Sequence, residues 1–209
     1  AAPIVLGYVP IGLAYGVLAQ KAGLAPLNTL LMSLLVYAGS AQLIAVGLIA
    51  SGASPPSIVA TTFVVNLRHL LMSAAVSPHL KRWRKPALAV FAFELTDETF
   101  AVHAARFADV GPGQVEAFAT NVTAQAAWIT GSGLGILLGK AVNDVEPLGL
   151  DYALPAMFIA LLILQIADRV QVAVALLAGA LAVGLHMAGL EDWHVIIAAT
   201  IGATIGVIL

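Results

Sequence analysis

The chain has 209 residues, of which 61% are hydrophobic and 10% charged, with a net charge of −2 and a mean hydropathy of +1.00. So few charged side chains cannot cover a water-soluble fold, where about 25% is usual, which excludes a soluble enzyme or a nucleic-acid binder. The absence of cysteine excludes a disulfide-held secreted scaffold as well.

Runs of about twenty apolar residues, enough for a helix to cross a bilayer core about 30 Å thick, follow one another along the chain. They predict an all-α integral membrane protein of 7–8 transmembrane helices, some of them broken, forming a single transporter domain over residues 1–209. The first helix is predicted over Ala2 to Ala19, with Pro10 and its neighbours Gly7 and Gly12 set to break it. The second runs from Leu27 to Ala50, and Gly39 and Ser40 mark a further interruption. The third covers Ser57 to Ser77 and leads into Pro78-His79-Leu80-Lys81-Arg82-Trp83-Arg84-Lys85-Pro86. Four basic residues in so short a loop put 78–86 in the cytoplasm. Strict alternation then puts Ala1 outside and Lys21 inside, unless one of the first three segments is broken or re-entrant.

The fourth helix, Ala87 to Phe107, is the most polar. The fifth, Val115 to Gly139, carries Gly131, Gly135 and Gly139 at four-residue steps, the spacing of close helix contact. A sixth is predicted over Tyr152 to Ile166 with Pro155 in it, a seventh over Val170 to His186 and an eighth over Trp193 to Leu209. A shift of 83 positions lays Ser40-Ala41-Gln42 on Thr123-Ala124-Gln125 and Arg68 on Asp151. Residues 1–77 and 87–166 are therefore candidate 3+3 inverted repeats, with 170–209 as extra helices. That is a plan of secondary transporters, set against chance likeness between alanine-rich helices.

A charge at the bilayer centre costs about 2.5–3.5 kcal/mol on insertion scales. Glu94, Asp97 and Glu98, spaced to share one face of the fourth helix, are thus expected to look into the bundle or a wet cavity. Carboxyls crowded together away from water favour keeping a proton on at least one of them. Glu94, Asp97 and Glu98, with His69, are the candidate proton-coupling groups; a static network holding helices together is the plain alternative. Asn66 and Arg68 of the third helix are candidate substrate ligands, although an arginine near a helix end also snorkels. Interrupted helices offer free amides and carbonyls to a zwitterion. That adds Pro10, Tyr15, Gly39, Ser40 and Gln42 to the candidate substrate-binding set, with Asn121 and Gln125 of the fifth helix. Phe63, Leu67 and Phe100 are expected to enclose an apolar side chain. The five histidines are scattered and no phosphate-cradling glycine loop occurs, so neither metal nor cofactor is expected. An electrochemical gradient, here of protons, remains as the energy source.

Gly7-Tyr8-Val9-Pro10-Ile11-Gly12-Leu13-Ala14-Tyr15-Gly16, Tyr37-Ala38-Gly39-Ser40-Ala41-Gln42, Asn66-Leu67-Arg68-His69 and Leu95-Thr96-Asp97-Glu98-Thr99 resemble the AzlC-type branched-chain amino acid permease family. Leu150-Asp151-Tyr152-Ala153-Leu154-Pro155-Ala156-Met157-Phe158 resembles that family's later signature. The resemblance implies a multi-pass protein of the bacterial inner membrane that exports valine, leucine and isoleucine. It also implies a small AzlD-type membrane subunit as partner. Combined with the acid cluster, it gives the expectation of a proton-coupled antiporter. A membrane assembly subunit that carries no solute and a narrow small-solute channel are the alternatives.

Overall fold

The computed structural model describes residues 1–111, 113–139, 168–190 and 193–208, with scattered positions between 152 and 166. Helix α1 (Ala2–Lys21) has a proline in its first turn, where a missing N–H costs nothing, and runs unbroken through Pro10. The interruption predicted for the first helix is therefore not there. The reason lies in its packing, because α7 (Gln114–Gly139) holds α1 along most of its length. A Cβ added to Gly12 would stand 2.9 Å from the Trp128 carbonyl oxygen, and one on Gly131 only 2.5 Å from that of Val9. At Gly16 and Gly135 it would overlap the carbonyl oxygens of Ser132 and Leu13 outright. The two backbones touch, as the glycine spacing predicts. Because 12 pairs with 131, 16 with 135 and 20 with 139, α1 and α7 run parallel.

The second predicted helix is two short ones. After α2 (Pro26–Leu31) the chain widens into a π turn over Met32–Val36, and Tyr37 takes a left-handed φ of 44°. Among the described residues it is the one non-glycine with positive φ, a conformation that costs about 1–3 kcal/mol and needs surroundings that enforce it. Then α3 (Gly39–Ala50) turns back. Gln42 of α3 donates to Ser33 Oγ at 3.3 Å, and Leu43 and Val46 pack with Tyr15 and Ala19 of α1. Thus α3 returns to the end of the bundle where α1 finishes.

From that end α4 (Pro55–Val76), prolonged by a 3-10 turn over Ser77–Leu80, crosses the whole structure to the basic loop. The fourth predicted helix then divides into α5 (Lys85–Phe93) and α6 (Asp97–Asp109). Thr96 starts α6 by a reciprocal cap: Thr99 N–H donates to Thr96 Oγ1 at 3.3 Å and Thr96 N–H to Thr99 Oγ1 at 2.8 Å. Phe91 lies 5.1 Å from the His103 ring and 6.1 Å from Phe107. In a continuous helix residues twelve apart would be about 18 Å apart, so α5 and α6 form a hairpin. Trp83 of the basic loop stacks near Phe91, Phe107 and Phe118 and closes its open end. Glu94 therefore stands in the bend, and only Asp97 and Glu98 share the first turn of a helix. The common face predicted for the three acids does not exist.

Four helices among the described residues are long and apolar enough to cross a membrane: Ala2–Lys21, Pro55–Leu80, Gln114–Gly139 and Arg169–Met187. This corrects the expected 7–8. The physical reason is that hydropathy measures apolar length and does not register a chain that reverses at mid-depth. Helix α8 (Arg169–Met187) packs on α9 (His194–Ile208), which touches α4. The sixth predicted helix falls almost wholly outside the described residues, with Asp151, Pro155 and the connection that precedes them. The second candidate repeat, 87–166, extends outside the described residues; within them a crossing helix is followed by a half-length hairpin. This unit occurs once as α1 with α2–α3 and once, in the opposite direction, as α4 with α5–α6. The start of α1, the start of α7 and the basic loop share one end of the bundle, and Lys21 lies at the other. Strict alternation, which separates Ala1 from the basic loop, fails because the second segment is a hairpin.

Candidate functional site

The hairpins enter from opposite ends, and their tips meet in the middle of the bundle. There they enclose a cavity of about 30 Å³, room for a water or two. Ala38, Gly39 and Ser40 come from one tip and Thr96, Asp97 and Glu98 from the other. Helices α1, α4 and α7 complete the wall with Tyr8, Arg68, His69 and Trp128. Both α3 and α6 begin at this cavity, so free backbone N–H groups and the positive ends of two helix dipoles point at it. Asp97 and Glu98, in the first turn of α6, are the charges such a helix end favours.

Arg68 is the hub. Its Nη1 lies 2.9 Å from Asp97 Oδ2, and its Nη2 donates to Ser40 Oγ. One guanidinium on a crossing helix thereby ties the two tips together. On the opposite wall Tyr8 donates to Glu98 Oε2 at 2.5 Å and stands 2.6 Å from Thr96 Oγ1, which is left to act as donor. Trp128 lies edge-on to Tyr8 at 5.6 Å and stacked on Tyr15 at 5.8 Å. A Cβ on Gly39 would lie 2.8 Å from its ring, so only glycine lets the tip approach this closely.

Of the residues singled out in the sequence, Gly39, Ser40, Arg68, His69, Asp97 and Glu98 are gathered at the cavity. The others lie elsewhere. Pro10 is exposed on the outer face of α1. Tyr15 is fully buried below the cavity, its hydroxyl donating to the Thr29 carbonyl at 3.3 Å. Gln42 accepts from Trp128 Nε1 at 3.2 Å and so orients a wall residue without lining the cavity itself. Gln125 donates to the Leu34 carbonyl at 3.2 Å, within the π turn of the first hairpin. Asn66 is half-buried and its carbonyl meets His69 Nδ1 at 3.1 Å. Asn121 and Glu94 are buried together away from the cavity wall. Phe63 and Leu67 face outward, and Phe100 packs in the cluster near the basic loop, so none of the three lines the cavity. The sequence reading missed Tyr8, Tyr37, Thr96 and Trp128. The signal for Thr96 was present in Thr96-Asp97-Glu98-Thr99, a helix start with an acidic first turn inside an apolar stretch.

Among the described residues no three histidines or acids are grouped to hold a metal ion. The sequence model of the family described as AzlC protein matches residues 3–142. An uncharacterized membrane protein of Archaeoglobus fulgidus is 32% identical over 208 residues, covering 96% of this chain and 88% of that one. Inner membrane protein YgaZ of Escherichia coli is 29% identical, covering 86% of this chain and 76% of its own. The branched-chain amino acid transport protein AzlC of Bacillus subtilis is 28% identical, covering 78% and 64%. No solved structure matches the chain. The chain belongs to the AzlC family of multi-pass membrane proteins.

Proposed function

We propose that this AzlC-family chain is the large subunit of a secondary transporter that exports valine, leucine and isoleucine in exchange for protons, with a small AzlD-type membrane subunit as its partner. The observation that carries the reading is the Arg68–Asp97 pair between two hairpin tips. An amino acid zwitterion carries the same two charges. Its carboxylate takes the place of Asp97 on Arg68, helped by the amides that open α3 at Gly39 and Ser40. Its ammonium takes the place of Arg68 on Asp97, with Glu98 beside it. A cavity of about 30 Å³ has no room for valine, so binding requires the tips to part, and their closure over the solute occludes it. The proton replaces the ammonium on the acids when the site returns empty. A one-methylene change is worth only about 1–3 kcal/mol in an apolar pocket, so the three substrates compete for one site. Loop 78–86 then lies in the cytoplasm of a bacterium, together with the start of α1.

The test is counterflow of labelled valine into proteoliposomes holding the protein, with and without its small partner, followed by Asp97→Asn and Glu98→Gln. Saturable counterflow that loses its proton dependence in these variants supports the proposal. Full coupling in both variants, or no valine movement under any condition, ends it.

A further inference from the structure

Beyond the central cavity a second polar path runs between α6 and α7 toward the basic-loop end. Glu94 in the bend of the second hairpin is 6% exposed, and Asn121 and His103 are 0% and 2% exposed. His103 Nε2 lies 2.7 Å from Asn121 Oδ1, and the Glu94 carboxyl is close to the Asn121 side chain without a hydrogen bond between them. Tyr37, at the tip of the first hairpin, is near Tyr8, Glu94 and Glu98. On its outer side His103 lines a separate small cavity of about 40 Å³, with Arg106, Glu116 and Thr120 around it. Phe91 and Phe107 flank its ring, and Glu116 is paired with Arg106 at 3.1 Å.

Buried polar atoms normally have partners. Here Tyr37 Oη, Glu94 Oε2 and Asn121 Nδ2 are buried without one, and all three belong to this path. Each keeps an open hydrogen-bonding position. We infer that Glu94, Asn121 and His103 form a proton passage from the central acids to the basic-loop end of the protein, distinct from the route of the amino acid. His103 with its Nε2–H held by Asn121 has Nδ1 as the nitrogen that takes a proton from the outer cavity. The imidazolium then gives its Nε2 proton to a water that takes the place of the Asn121 contact, and that water passes one of its own protons to the Glu94 carboxylate. Neutral His103 and protonated Glu94 result, and Tyr37, near both Glu94 and Glu98, is the group next in line.

The inference rests on the proton-coupled reading, and two measurements keep the two apart. In proteoliposomes of the full chain, His103→Gln is expected to lower proton-driven valine accumulation at least tenfold while leaving valine–valine exchange within twofold. Unchanged accumulation overturns the passage, and absence of valine exchange in the unmodified protein sinks the transport reading instead. Because the chain has no cysteine, Thr120→Cys and Asn121→Cys give single labelling sites. The half-buried Thr120→Cys site should react with a small membrane-impermeant thiol reagent from the basic-loop side and not from the other, and the fully buried Asn121→Cys site should not. If Thr120→Cys does not react from that side, the passage is dry and the inference fails, whatever the flux through His103→Gln.

Discussion

Arg68 and Asp97, from a crossing helix and the first turn of a half-length one, form an ion pair of 2.9 Å at the centre of the bundle. Each is only about a quarter exposed (24% and 22%). The pair sits where the two hairpin tips meet, and Arg68 also holds Ser40 of the other tip.

Arg68→Lys tests whether that double grip matters. A lysine keeps the charge but lacks the planar fork that serves two acceptors at once. Valine flux is expected to fall at least tenfold, while detergent-solubilised protein keeps its elution profile and helical circular dichroism. Flux within twofold of the unmodified protein would show that Arg68 acts as a point charge only.

Tyr8→Phe removes the hydroxyl that donates to Glu98 at 2.5 Å. A hydrogen bond to a charged group is worth about 1.5–3 kcal/mol, so flux should drop roughly tenfold to a hundredfold. Exchange kinetics at saturating valine, measured beside Tyr15→Phe, check this. Tyr15 bonds a backbone carbonyl away from the cavity, so its variant should lose stability and not coupling.

The contact between α1 and α7 should tolerate no added atoms. Gly16→Ala drives a methyl into the Ser132 carbonyl, and overpacking costs about 1–3 kcal/mol. Gly7, with nothing within 4 Å of an added Cβ, should accept alanine with a gain of about 0.5–1 kcal/mol from helix propensity. Thermal unfolding in detergent separates the two: a fall for Gly16→Ala and a steady or higher midpoint for Gly7→Ala.

Thr96→Ala removes the cap that starts α6, a loss of about 1 kcal/mol. It also frees the turn that presents Asp97 and Glu98. The expected result is a modest fall in thermal stability with a larger fall in the apparent affinity for valine, read from counterflow at graded concentrations. A stability change alone would confine Thr96 to a structural part.

These residues also show what the sequence makes legible. Arg68, Asp97 and Glu98 stand out because charge inside apolar stretches is costly, and the structure gathers them around one cavity. The glycine spacing of α7 announced its close neighbour, though not that the neighbour is α1. The hairpins were hidden. Leu27 to Ala50 reads as one apolar run because reversal at Tyr37 needs a left-handed backbone that no residue type there announces. Pro10 misled for the converse reason: a proline within a helix clamped by its neighbour need not break it. Tyr8 and Trp128 are ordinary members of an apolar helix by composition, and only the fold brings them to Glu98 and Gly39.

Two hairpins of half-membrane depth have an electrical consequence. Helices of 9 to 13 residues meet tip to tip around Arg68 and Asp97, which places this ion pair inside the voltage that falls across the bundle. Moving one elementary charge through the full drop is worth about 2.3 kcal/mol per 100 mV. A displacement of a few ångströms at Arg68 or Asp97 therefore samples a fraction of that energy, and membrane potential can bias the central ion pair without any large rearrangement of the helices around it.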